Sequence, residues 1–172
     1  MDLETLTIDL KGLKQGINTF HFSLDHTYFE ALEEAEVSEG NIELALEITR
    51  TANDLFTLIF RQKGTVMVPC TICLDPLPLV IDIEERLDAK FGNEYSEDDN
   101  LITIAESEGT LNVSWFVYEF IVLAIPIKHV HAPGKCNPAM IRMLEKHSTA
   151  RSSEEDDKTI DPRWEALLKL KE

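Results

Sequence analysis

Cys70-Thr-Ile-Cys73 places two soft thiol ligands two residues apart, and its nearest candidate partners lie far downstream. A strand-like run at residues 65–68 leads into the pair and Leu74-Asp75-Pro76 follows it, so both sulfurs can point into one corner. That is a geometry zinc favours. The downstream donors are His131 and Cys136, in Pro126-Ile-Lys-His129-Val-His131-Ala-Pro-Gly-Lys-Cys136. Cys70, Cys73, His131 and Cys136 would complete a four-ligand set, with its halves further apart than in small zinc modules. Two other readings account for the same residues: reduced thiols packed as small hydrophobes, or a thiol-redox pair with a sensing or enzymatic role. A thioredoxin-like pair opens a helix, and Pro76 and Pro78 oppose a helix there.

The elements that must position these groups read mainly as strands. Leu6, Ile8 and Leu10 alternate with polar residues, as do Phe20, Phe22 and Leu24 beyond Gly12 and Gly16, which predicts two strands joined by a flexible turn. Residues 27–39 are acidic and roughly helical, with Tyr28, Phe29 and Leu32 on one side. Ile42, Leu44, Leu46 and Ile48 alternate strictly, and residues 50–54 turn the chain into a run at 55–60, a hairpin pattern. Gly64 is expected to bend or bulge the chain before residues 65–68. The clearest strand spans 79–91, where Leu79, Ile81, Ile83, Leu87, Ala89 and Phe91 share a face that only Glu85 interrupts.

Residues 92–100 read as an acidic, mobile loop and 101–104 as a short strand. Asn112 suits a helix N-cap, and residues 113–125 are apolar almost all round, as a helix enclosed by a core would be. Pro126 ends that run, which is too short to span a membrane. Asn137-Pro138 begins a short helix. Residues 148–160 read as a disordered linker, and 161–172 as a docking helix with Trp164, Leu167 and Leu168 on one face. The expected organisation is one α+β domain over 1–147: a curved, largely antiparallel sheet or partial barrel, covered by the buried apolar helix.

At 172 residues and a formal net charge of -16, the chain is a poor match for a sequence-blind grip on nucleic acid, which depends on Lys and Arg. The charge is uneven. Residues 28–47 hold seven acids and no base, whereas residues 126–147 carry Lys128, Lys135, Arg142 and Lys146 against Glu145 alone. This basic island is a contact surface for RNA or else an ordinary solvated face. Three cysteines and no signal-peptide pattern at the start predict a reducing, cytoplasmic home. No Ser/His/Asp order, phosphate loop or Walker signature points to an enzyme.

The order Cys-x-x-Cys, apolar helix ending Leu-Ala-Ile-Pro, Val-His131, Cys136 and a terminal Asp-Pro-Arg-Trp-Glu-Ala-Leu-Leu-Lys-Leu resembles the YceD family, the large ribosomal RNA subunit accumulation proteins. The likeness runs from Gly64 onward. It matches Cys70, Cys73, His131, Cys136 and the closing helix residue by residue, while Glu119 and His129 depart from the family pattern. It implies a cytoplasmic, non-catalytic factor supporting processing or accumulation of large-subunit ribosomal RNA and ribosome biogenesis. The implied partners are the ribosomal RNA precursor, basic ribosomal proteins, or both. Contacts are expected at Lys128, Lys135, Arg142, Lys146, Trp164, Leu167 and Leu168, with no membrane involved and zinc as the one candidate cofactor.

Overall fold

A computed structural model describes residues 3–32, 36, 37, 39–98 and 100–147. It divides the chain into two compact units, Met1–Asn137 and Pro138–Glu172. The expected linker at 148–160 and docking helix at 161–172, with Trp164, Leu167 and Leu168, lie outside the described residues.

The first unit is built on a curved, open, six-stranded sheet that is largely antiparallel, as the alternating runs predict. Strands β2 (Gly16–Leu24), β3 (Glu39–Arg50), β4 (Leu55–Pro69) and β5 (Pro76–Gly92) form an antiparallel meander. Strand β7 (Leu101–Ala105) joins β5 in parallel, and β6 (Ser96–Asp98) closes the far edge. The period-2 pattern carries Ile42, Leu44, Leu46, Ile48, Phe56, Leu58 and Phe60 to one face, where all are buried. Opposite them lie α1 (His26–Leu32), with Tyr28 and Phe29 buried, and α2 (Ser114–Ala124). The Tyr28 hydroxyl donates to the Ser114 carbonyl at 2.7 Å and ties the two helices together. Phe60 meets Phe120 of α2 edge-on, with ring centroids 5.2 Å apart.

Several local expectations change. Both of the first two runs are strands, as expected, but β1 (Thr7–Asp9) is short and forms a separate two-stranded sheet with β8 (Thr110–Asn112). Gly64 does not interrupt β4, since the pairing runs unbroken through Lys63↔Asp82, Gly64↔Ile81 and Thr65↔Val80. Its role is close approach: a Cβ there would sit 2.0 Å from the Asn41 carbonyl oxygen. The acidic loop contains β6, and of the expected helical stretch at 27–39 the described residues place His26–Leu32 in α1 and Glu39 at the start of β3.

Glu85 falls on the expected face of β5 but is exposed. Asn112 ends β8; Val113 is the cap residue of α2, and the Asn112 side-chain oxygen accepts from the Ser114 amide at 2.9 Å. Among the described residues, the helix is covered on one side only. Phe116, Val117, Tyr118 and Ile121 are buried, while Trp115 and Leu123 face solvent. Among the described residues no helix is long and apolar enough to cross a membrane. In the second unit, α3 (Pro138–His147) starts at the expected proline and has no buried residue.

Candidate metal centre

The β4–β5 hairpin closes over Cys70, Thr71, Ile72, Cys73, Leu74 and Asp75, because Pro69 and Pro76 form its last pair. Neither proline could donate to a longer ladder. Within the tip, the Cys70 amide donates to the Asp75 carbonyl and the Leu74 amide to the Cys70 carbonyl, both at 2.9 Å. Leu74 takes a left-handed backbone, φ 62°, to complete the turn. Both thiols are thereby buried beneath the hairpin end.

The second pair of donors arrives after α2. Pro126 redirects the chain, and the next residues cross the hairpin tip. Thr71 donates from its amide and its hydroxyl to the His129 carbonyl, at 2.9 and 3.0 Å. The His129 ring lies between two carbonyl oxygens, Pro126 at 2.7 Å from Nδ1 and Pro69 at 2.9 Å from Nε2. Asn137 donates to the Asp75 carboxylate at 3.3 Å, and a turn closed by Lys135 N–H to the Ala132 carbonyl brings Cys136 back.

These contacts place His131 Nδ1 3.4 Å from Cys73 Sγ and 4.0 Å from Cys136 Sγ, with Cys70 and Cys136 sulfurs 3.9 Å apart. All four donor atoms lie within 4.8 Å of one another. A tetrahedral zinc with bonds of about 2.3 Å to sulfur and about 2.1 Å to nitrogen separates its ligand atoms by about 3.5–3.8 Å. The cluster is thus slightly wider than a closed Cys3His shell, and small side-chain rotations would contract it. His131 Nε2 faces the Pro76 carbonyl at 3.1 Å. Donation to that oxygen leaves the Nδ1 lone pair aimed at the sulfurs, the tautomer that a metal ligand requires.

The electrostatics agree with thiolate chemistry. Burial opposes ionisation of Cys70, but backbone N–H groups of Cys73, Ile72 and His131 and the Cys73 thiol outweigh it, and the thiol falls to about 5. Hydrogen bonding to Cys70 raises His131, against the effect of burial. Burial, followed by the neighbouring Cys70 and Cys73, pushes Cys136 up to about 11. A cation at the centre would replace those protons.

All four sequence-predicted ligands therefore converge. The basic residues do not share one element: Lys128 and Lys135 are exposed in the segment that crosses the hairpin tip, whereas Arg142 and Lys146 are exposed on α3, in the other unit. Sequence reasoning missed the clamp made by Thr71, His129 and Asn137. The one visible signal was the alternation of His129 with His131, which puts one imidazole toward the sulfurs and the other toward Pro69.

Neither a curated protein nor a solved structure matches the chain. A family profile, described as large ribosomal RNA subunit accumulation protein YceD, matches residues 58–171, from within β4 and across all four donors. The match covers most of the chain, and the protein belongs to the YceD family.

Proposed function

We propose that this protein is a non-catalytic, cytoplasmic factor supporting large-subunit ribosomal RNA processing and accumulation, and that Cys70, Cys73, His131 and Cys136 hold one structural zinc ion. The family supports the ribosomal role. The convergence of four soft donors from two distant segments, all within 4.8 Å, carries the metal reading. A zinc ion with four protein ligands has no position left for a substrate or an activated water, so the centre organises structure and performs no hydrolysis. What it organises is the crossing segment, whose Lys128 and Lys135 are free to meet a partner. Arg142, Lys146, Trp164, Leu167 and Leu168 extend the partner-contacting set.

Protein purified without chelator should contain about one equivalent of zinc, lost in Cys70→Ser and in Cys136→Ser. Those variants should fail to restore large-subunit ribosomal RNA levels in cells lacking the protein. A metal-free protein of undiminished stability removes the zinc, and unchanged ribosomal RNA in the deletion strain removes the function. The thiol-redox alternative predicts instead a Cys70–Cys136 or Cys70–Cys73 bridge under mild oxidant, read by intact mass.

A further inference from the structure

Among the described residues, an unpartnered apolar ridge runs along α2 and continues past its end. Residues spaced three and four apart share a helix face, and here that face holds Trp115, Glu119, Val122 and Leu123. Trp115 is 51% exposed, Leu123 74%, and Ile127, just beyond the helix, 99%. Exposed large apolar residues in series mark an interaction surface more often than scattered single ones do.

A hollow lies on each side of the ridge. One, of about 230 Å³, has apolar walls from Val68, Val122, Ile125 and Ile127, with Glu36 at its edge. The other, of about 240 Å³, is lined by Phe116, Phe120 and Leu123 together with Glu85, Glu97 and Glu119. Four glutamates and one histidine, His129, line the two hollows, and no lysine or arginine does. A phosphodiester would meet carboxylates and hydrocarbon there, both unfavourable. A lysine- or arginine-bearing polypeptide with apolar anchors would fill the hollows and set its cations against the glutamates.

We infer that the α2 ridge, Trp115, Leu123 and Ile127 with the flanking Glu85 and Glu119, is the docking surface for a basic amphipathic protein segment. The inference rests on the ribosomal reading above and names the partner class within it: a basic protein tail or helix binds here, and RNA does not. The metal centre belongs to the same construction, since the segment it fastens begins at Pro126 and Ile127, which form one end of the ridge.

The test uses the full chain and a fluorescein-labelled peptide of about 18 residues with leucine at helical spacing and lysine elsewhere. Three comparison probes are a lysine/serine peptide, a leucine/glutamate peptide and a single-stranded RNA oligomer. Leu123→Asp and Ile127→Asp change exposed side chains only, so folding is retained. Each should weaken the leucine/lysine peptide about tenfold or more. Glu85→Lys combined with Glu119→Lys should weaken it too and make the affinity less sensitive to salt. Binding of RNA should be the same for the wild-type, Leu123→Asp and Ile127→Asp chains, whereas the two added lysines can only raise it.

Four results overturn the inference: no change in the variants, equal binding of the lysine/serine peptide, loss of RNA binding on Leu123→Asp, or a wild-type dimer that Ile127→Asp dissolves. The cellular arm separates this inference from the functional reading. If deletion lowers large-subunit ribosomal RNA and the Leu123→Asp, Ile127→Asp chain restores it, the ridge is wrong and the function stands. If deletion changes nothing, the function is wrong, and the peptide titration alone judges the ridge.

Discussion

Removing zinc should loosen the crossing segment and leave the sheet intact. The Thr71 amide would report this directly, because its acceptor is the His129 carbonyl at 2.9 Å, on the far side of the seam that a zinc ion at the four donors would close. Without metal the seam retains the two Thr71 bonds, the His129 ring bonds to Pro126 and Pro69, His131 to Pro76, and Asn137 to Asp75. Exposed hydrogen bonds of this kind contribute about 0.5–1.5 kcal/mol each, and ordering the segment opposes their sum.

Zinc at the proposed site would add to the seam by linkage: at free metal about 1,000-fold above its dissociation constant, the closed form would gain about 4 kcal/mol. In hydrogen exchange, chelation should therefore accelerate the Thr71 amide by up to about 1,000-fold. The Phe60 amide, in mid-strand of β4, should exchange at its original rate. Cys136→Ser should reproduce the effect without chelator. Equal Thr71 protection with and without metal would refute the pinning role. A uniform acceleration that includes Phe60 would refute its being local and would make zinc a requirement of the whole fold.

Two further predictions concern the sheet. Gln62 is fully buried, and neither its amide oxygen nor its amide nitrogen has a hydrogen-bond partner among the described residues. Gln62→Leu should therefore raise stability in urea by about 1–3 kcal/mol, and a loss would show that the amide is satisfied in solution. Gly64→Ala should cost about 2 kcal/mol or more, because the new methyl would meet the Asn41 carbonyl at 2.0 Å, an atom fixed in β3. An unchanged denaturation midpoint would mean that β3 and β4 can part there at no cost.

The long strands were legible because burial on one face imposes a period of two that nothing else in this chain imitates. Ile42, Leu44, Leu46 and Ile48 are all buried, as their alternation requires. The three-residue strands were not legible, for a physical reason. β1 exists because Thr7, Ile8 and Asp9 meet Asn112, Leu111 and Thr110, about a hundred residues away, and three residues hold too little periodicity to announce a partner. Gly64 misled for a related reason. A glycine within a strand pattern fits a bulge and a close backbone contact equally well, and only the neighbouring strand decides between them.

The metal centre and the ridge fell on opposite sides of the same limit. Thiols two residues apart at a turn are held together by local geometry, and few residue types can serve as soft donors, so His131 and Cys136 could be matched to the pair without knowing the fold. An apolar helix supplies no such discrimination. When Trp115, Phe116, Val117, Phe120, Ile121, Val122 and Leu123 surround the axis, the pattern shows that burial is favourable on every face but not which face the chain itself covers. Here the sheet takes the side of Val117 and Ile121, and no described residue covers the side of Trp115 and Leu123. A hydrophobic surface left uncovered costs free energy in the isolated molecule. The apolar positions that the sheet does not explain therefore point to contact with another molecule, and their glutamate borders favour a basic one.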